Sequence, residues 1–137
     1  MDADPKHKKI LVVDDDLNMR IFLSTVLKTS GYTAFAARNG EEGIRKAEEK
    51  APDLIILDVM MPDEGGVLMY RNLKSHPKMK CIPVVMLSGV ESATFSHTLK
   101  LLNLGQQSDL PEPDAYLEKP PKPEELLKTI KEILTAQ

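Results

Sequence analysis

Four consecutive apolar residues, Leu54-Ile55-Ile56-Leu57, run between Asp53 and Asp58. Such a run is too short for a helix. Its side chains do not alternate between polar and apolar, so it reads as a strand buried on both faces. A strand of that kind needs cover above and below, which points to a parallel sheet layered between helices. Asp58 closes the run, and a carboxylate at the end of a buried strand is costly unless it has a partner. Pro62 lacks a backbone N–H and Gly65-Gly66 interrupts any continuation, so the chain is expected to turn there and leave Asp58 on the rim of the sheet.

The same pattern recurs along the chain. Ile10-Leu11-Val12-Val13 is a second short strand, followed by Asp14, Asp15 and Asp16. Met19, Phe22, Leu23, Val26 and Leu27 then repeat at helical spacing, and Gly31 suits the position just past a helix end. Thr33–Ala37 reads as a strand, Asn39-Gly40 as a turn, and Glu41 to Ala51 as a helix stopped by Pro52. Val67, Tyr70 and Leu73 mark a helix ending near His76-Pro77. Pro83–Leu87 is a strand ending in Ser88-Gly89, and Phe95, Leu99 and Leu102 suggest a helix behind it. A polar stretch from Gly105 to Asp114 leads to a short strand, Ala115–Leu117, ending at Glu118-Lys119. Leu126, Leu127, Ile130, Ile133 and Leu134 form the final helix.

The chain is thus an α/β alternation of five strands and five helices. It predicts one doubly wound domain over residues 1–137 with a core from about residue 9 to 135. At 137 residues the chain can bury a core without staples. A net charge of -3 argues against a direct nucleic-acid groove. The one cysteine, Cys81, cannot form an internal disulfide and is expected to be a small buried or half-buried apolar residue. No apolar run approaches the length that spans a bilayer and no signal peptide opens the chain, so a cytoplasmic protein without membrane insertion is expected. His7, His76 and His97 are read as surface residues, and Met60 and Met61 as loop packing.

In an open parallel sheet the C-terminal strand ends share one rim, and ligands bind there at the switch in strand order. With the order 2-1-3-4-5, Asp14 and Asp15 face Asp58 across about 5 Å, with Ser88 on the far side and Lys119 two strands away. Carboxylate pairs at such a spacing repel by on the order of 3 kcal/mol each at an effective dielectric of 20. A divalent cation relieves that repulsion, and ligands without sulfur or imidazole suit the hard ion Mg²⁺. Metal, hydroxyl and ammonium together make a place for a phosphoryl group, with Asp58 as the nucleophile that becomes an aspartyl phosphate. Singly, each of these residues is more often a cap, a turn or a solvated charge; it is their convergence on one rim that carries the reading.

The motifs ILVVDDD (Ile10–Asp16), ARNGEEG (Ala37–Gly43), DLIILDVMMP (Asp53–Pro62), VVMLSG (Val84–Gly89) and YLEKP (Tyr116–Pro120) occur in that order, each on an expected strand or turn. On them the chain resembles the receiver domain of two-component response regulators, including the single-domain chemotaxis regulator. The resemblance implies a flavodoxin-like fold, with Asp58 as phosphoacceptor for a sensor histidine kinase or phosphotransfer protein. It implies Mg²⁺ held by Asp14, Asp15, Asp58 and the backbone carbonyl of Met60, Ser88 as the switch hydroxyl and Lys119 as the phosphate-binding lysine. It further implies a cis Lys119-Pro120 bond, Tyr116 at the aromatic switch position, and Gly89 as the small residue that leaves the phosphate accessible. The stretch Leu104–Asp114 is longer than that family's usual connection, and Pro121 stands where a bulky apolar residue is common.

Two other chemistries use related parts. A haloacid-dehalogenase-like phosphatase wants Asp-x-Asp-x-Thr/Val after its first strand; Asp14-Asp15-Asp16-Leu17-Asn18 lacks the last residue, and Asp58 has no role in it. A flavin mononucleotide binder needs a Ser/Thr/Gly loop where this chain places acids. A non-phosphorylated interaction module on the same fold is the third alternative. The expected function is a phosphorylation-driven signalling switch rather than a metabolic enzyme, acting on a downstream protein that the sequence does not name.

Overall fold

In the computed structural model, residues 8–59, 61, 65–89 and 111–136 are described. The short apolar runs become β1 (Lys9–Val13), β2 (Thr33–Ala37), β3 (Leu54–Asp58), β4 (Val84–Ser88) and β5 (Ala115–Glu118), all parallel, in the order β2-β1-β3-β4-β5. Among the described residues there are four helices, α1 (Leu17–Thr29), α2 (Gly40–Lys50), α3 (Gly65–Ser75) and α4 (Pro123–Thr135). The helix expected on Phe95, Leu99 and Leu102 lies outside the described residues.

The side-chain period of two along a strand splits the core into two layers. Leu11, Val13, Ile55, Leu57, Val84 and Met86 point to one face, where Ala47 of α2 and Met69, Tyr70 and Leu73 of α3 cover them. Ile10, Val12, Leu54, Ile56, Val85, Leu87 and Leu117 point to the other, beneath Leu23 and Leu27 of α1 and Leu126, Ile130 and Leu134 of α4. β3 is buried at every residue, as its unbroken apolar run requires. Asp53 fixes the register at its start: its carboxylate accepts from the Lys9 N–H at 2.8 Å and its own N–H donates to the Lys9 carbonyl at 2.7 Å.

Helix ends differ from expectation in two places. Asn39-Gly40 is a helix start rather than a free turn: the Asn39 side chain accepts from the Glu42 N–H at 2.8 Å and Glu42 accepts from the Arg38 N–H at 2.7 Å, a reciprocal cap. The Arg38 N–H is the main reason that the Glu42 carboxyl titrates below its ordinary value. Gly65-Gly66 does not break the chain but opens α3. A Cβ on Gly66 would stand 2.4 Å from the Asp58 carbonyl oxygen and 2.5 Å from Val59 Cα, so glycine here lets the helix close onto the end of β3. Pro52 ends α2 by forcing its neighbour out of the helical region: Ala51 takes φ 47° and ψ 62°. Gly31, with φ 96°, ends α1 as expected.

That left-handed alanine yields a first prediction. An L-residue there carries about 1–2 kcal/mol of strain, and glycine returns part of it as extra unfolded-state entropy. Ala51→Gly should therefore stabilise the protein by about 0.5–1 kcal/mol, a rise in Tm of about 3 °C. A thermal melt with unchanged or lower Tm would contradict it.

Cys81 is exposed, not buried, because it lies in the turned segment before β4 rather than in the strand. His76 is half-buried, and its Nδ1 accepts from the N–H groups of Lys78 and Met79 at 3.1 and 3.3 Å, which ties the turn after α3. Met61 is buried in the layer under α2 and α3. Pro121 is buried, so it fills an apolar position despite its small ring, and Pro123 occupies the first turn of α4, where a missing N–H costs nothing. Among the described residues no helix is long and apolar enough to cross a membrane.

Candidate functional site

The register sets the site. Val13 pairs with Leu57, Asp58 with Leu87 and Ser88 with Glu118, so Asp14, Asp58, Ser88 and Lys119 leave their strands at nearly one level. The Asp14 N–H still bonds to the Ala37 carbonyl at 3.1 Å, the Val59 N–H to that of Leu87 at 3.1 Å, and the Lys119 N–H to that of Ser88 at 2.9 Å. These bonds extend the ladder beyond the strands and hold the rim residues on rigid backbone. The Lys119-Pro120 peptide is cis, as the resemblance implies.

Asp14, Asp58 and Ser88 are the buried polar or charged residues of the described chain. Lys119 Nζ lies 2.9 Å from Asp14 Oδ2 and 3.0 Å from Asp58 Oδ2, so one ammonium bridges two buried carboxylates. Burial acts against the charge on Lys119, but the two carboxylates outweigh it and raise its pKa above the ordinary lysine value. Asp15 is exposed, yet one oxygen of each of Asp14, Asp15 and Asp58 falls within 4.8 Å of the others. The sequence-predicted acids, the hydroxyl and the lysine are therefore brought to one rim. The Met60 carbonyl lies outside the described residues.

Three contributors were not visible in the sequence. Arg20, on the first turns of α1, donates from Nη1 to the Asp14 backbone carbonyl at 2.7 Å. The Asp16 N–H donates to Asp14 Oδ1 at 2.9 Å, while the Asp16 side chain caps α1 by accepting from the Asn18 N–H at 3.0 Å. Asp14 is thus aimed from both sides, with one oxygen spent on backbone and the other facing the site. Neither contact follows from spacing alone, since an arginine six residues past a strand has many other places to go. Gly66 is the third: it brings the backbone of α3 against the Asp58 carbonyl.

Ser88 is buried at the end of β4, and among the described residues nothing lies within 4 Å of a Cβ placed on the adjacent Gly89. Tyr116 is half-buried and packs against the layer under α2 and α3.

The residues suit a hard divalent cation. Among the described residues three carboxylates cluster, two of them against the Lys119 ammonium, and all the donors are oxygen. Mg²⁺ needs few protein ligands because it keeps several of its waters.

Comparison with known proteins agrees with this geometry. The profile of the response regulator receiver domain matches residues 10–131. The chain is 38% identical over 128 residues to the alkaline phosphatase synthesis transcriptional regulatory protein PhoP of Bacillus subtilis, covering 93% of this chain and 49% of that protein. It is 31% identical over 127 residues to the phosphate regulon transcriptional regulatory protein PhoB of Pseudomonas aeruginosa, covering 93% and 52%. The chain spans about half the length of these curated relatives. Among solved structures, the chemotaxis response regulator CheY4 of Vibrio cholerae superimposes with a TM-score of 0.77 at 30% identity, covering 92% of this chain and 98% of that one. A CheY-like receiver domain protein from Methanospirillum hungatei gives a TM-score of 0.72 at 30% identity, covering 93% of each chain. The chain belongs to the response regulator receiver family, the phosphoryl-accepting domains of two-component signalling.

Proposed function

We propose that Asp58 is the phosphoacceptor of this receiver, taking the phosphoryl group from a sensor histidine kinase or phosphotransfer protein. The observation that carries this assignment is the Lys119 ammonium, shared at 2.9 and 3.0 Å between buried Asp14 and Asp58. A cation placed there meets the extra negative charge that a phosphoryl group brings. The Asp58 carboxylate oxygen forms the new bond to phosphorus, the bond from phosphorus to the donor breaks, and the donor leaves with that electron pair. Asp14, Asp15 and Asp58 are the side chains to hold Mg²⁺, with the Met60 carbonyl proposed as a further ligand. When bound, the metal supplies positive charge to phosphoryl oxygens. Ser88 donates its hydroxyl to one of those oxygens, and Tyr116 responds at the next strand.

The domain is read as a switch that changes its binding of a downstream protein, not as a metabolic enzyme. Its place is the cytoplasm, without direct contact with nucleic acid or insertion in a membrane. Residues 1–137 are read as a single receiver domain with its core over about residues 9–135.

Incubation with acetyl phosphate and Mg²⁺ should add one phosphoryl group by intact mass, and Asp58→Asn should remove that gain. Equal labelling of the variant at another carboxylate would overturn the assignment. Mg²⁺ without a phosphoryl donor should raise Tm through binding linkage, by about 2.7 kcal/mol of added stability at a hundredfold excess over Kd. Asp15→Ala should weaken that rise, and an unchanged rise in both Asp15→Ala and Asp14→Ala would rule out this metal site.

A further inference from the structure

Gly66, Tyr70 and Lys74 lie four residues apart on α3 and so share one stripe of the helix. Each meets backbone. Gly66 packs against the carbonyl of Asp58. The Tyr70 hydroxyl donates to the Pro111 carbonyl at 2.6 Å. Lys74 Nζ donates to the carbonyls of Lys80 and Ile82 at 3.1 and 3.0 Å, and the same ammonium lies over the Tyr70 ring, 5.6 Å from its centroid. One end of the stripe therefore touches the acceptor's backbone. The middle holds the chain that enters β5, and the far end holds the chain that enters β4.

The middle contact is the informative one. Tyr70 is fully buried, and it is a large aromatic where a plain apolar residue would fill the same layer. Burial, then Asp114, Tyr116 and Glu112, hold its phenol far above the ordinary tyrosine range, so the hydroxyl stays a donor. Three residues past Pro111, Asp114 bonds twice to Val84: its N–H donates to the Val84 carbonyl at 2.9 Å and its carboxylate accepts from the Val84 N–H at 2.9 Å. β5 starts at the next residue, and Tyr116 packs against the same layer that contains Tyr70.

We propose that Tyr70 is a positioning residue: its hydroxyl, bonded to Pro111, tethers the approach to β5 onto α3 and so sets how far Tyr116 moves when Asp58 is phosphorylated. The proposal rests on Asp58 being the acceptor. It adds a route through α3 from the acceptor backbone to β5. Pro111 is exposed, so water replaces the lost donor when the tether is cut, and the cost stays local.

Tyr70→Phe keeps the ring in the core and removes only the hydroxyl. Wild type, Tyr70→Phe and Asp58→Asn are compared, each with and without acetyl phosphate and Mg²⁺. In Tyr70→Phe, amide exchange at residues 114–117 should rise about fivefold, the ratio one neutral hydrogen bond supports, with Ile10–Val13 and Leu54–Leu57 unchanged. Phosphoryl uptake by intact mass should stay at the wild-type level, while the phosphorylation-linked NMR shift of the Tyr116 ring should change in size. Exchange rising equally in all strands, or a Tyr116 response identical to wild type, overturns the tether. Labelling that persists in Asp58→Asn overturns the acceptor assignment instead, whatever Tyr70→Phe does. A Tyr70→Phe/Gly66→Ala double variant whose effect on the Tyr116 shift is the plain sum of the single effects removes the α3 route.

Discussion

Lys119→Met lowers stability by about 2–3 kcal/mol at pH 8 in buffer without divalent cation. This is less than the about 3–5 kcal/mol for breaking a fully buried ion pair, because the lysine side chain is 18% exposed and water reaches it. The methionine keeps most of the stem's packing, so the loss reports the charge. Asp14 and Asp58, 0% and 1% exposed at the side chain, are then left facing one another without the ammonium that joins them. The pH dependence has a definite sign. The folded-state pKa of Lys119 is raised, so its stabilisation is fully present below the unfolded lysine pKa of about 10.4 and is lost as pH rises through the folded value. The gap between wild type and Lys119→Met should therefore close in alkaline solution above about pH 10.4. Tyr32 and Tyr70, whose pKa values are also raised by burial, destabilise both proteins alike in that range and cancel from the difference. Mg²⁺ should narrow the gap at pH 8, since it brings positive charge to the same carboxylates. Urea titrations at pH 8 and pH 11, with and without Mg²⁺, test this; equal stability of the two proteins at pH 8 would contradict it.

Gly66→Ala should destabilise by about 2–3 kcal/mol and slow phosphoryl uptake at Asp58. Two effects oppose each other. In a helix interior alanine is favoured over glycine by about 1 kcal/mol. Against that, the new Cβ would lie 2.4 Å from the Asp58 carbonyl oxygen, 2.5 Å from Val59 Cα and 2.9 Å from the Val59 carbonyl carbon. All three are backbone atoms, so no side chain can swing away, and either α3 or the end of β3 has to move. Overpacking of this kind costs about 1–3 kcal/mol and at times more, which exceeds the propensity gain. The displaced atoms belong to Asp58 and its successor, so the carboxylate is re-aimed as well. Gly89→Ala is the control: among the described residues its Cβ meets nothing within 4 Å, and it should leave stability near wild type. If Gly66→Ala melts at or above the wild-type temperature, the close approach does not hold α3 in place.

Most of the architecture was legible because it is written in local period and composition. Each strand is a short apolar run of one type, and each helix carries a 3.6-residue apolar stripe, so element type and the parallel sheet followed from the chain in order. The rim residues were legible for the same reason: Asp14, Asp58 and Ser88 are each the first polar residue after such a run, and Asp15 and Lys119 are each the second. Errors fell where a residue's meaning depends on a neighbour distant in sequence. Gly65-Gly66 reads locally as a breaker, and only the backbone of β3 lying beneath shows why a helix starts on glycine. Asn39-Gly40 reads as a turn until Glu42 returns to cap Arg38. Cys81 reads as apolar, but the segment before β4 runs over the surface.

The sequence by itself determined that Asp14, Asp15, Asp58, Ser88 and Lys119 terminate strands of one parallel sheet, because hydrophobic period needs no partner to be read. Which oxygen meets which cation was decided only in three dimensions. Register places Lys119 between Asp14 and Asp58, Arg20 and the Asp16 N–H aim the Asp14 carboxylate, and Gly66 sets the depth of the Asp58 backbone. Those contacts run from the 2 residues between Asp16 and Asp14 to the 105 between Lys119 and Asp14, and they depend on distances of a few tenths of an ångström, which are fixed by packing of whole layers and not by any local pattern.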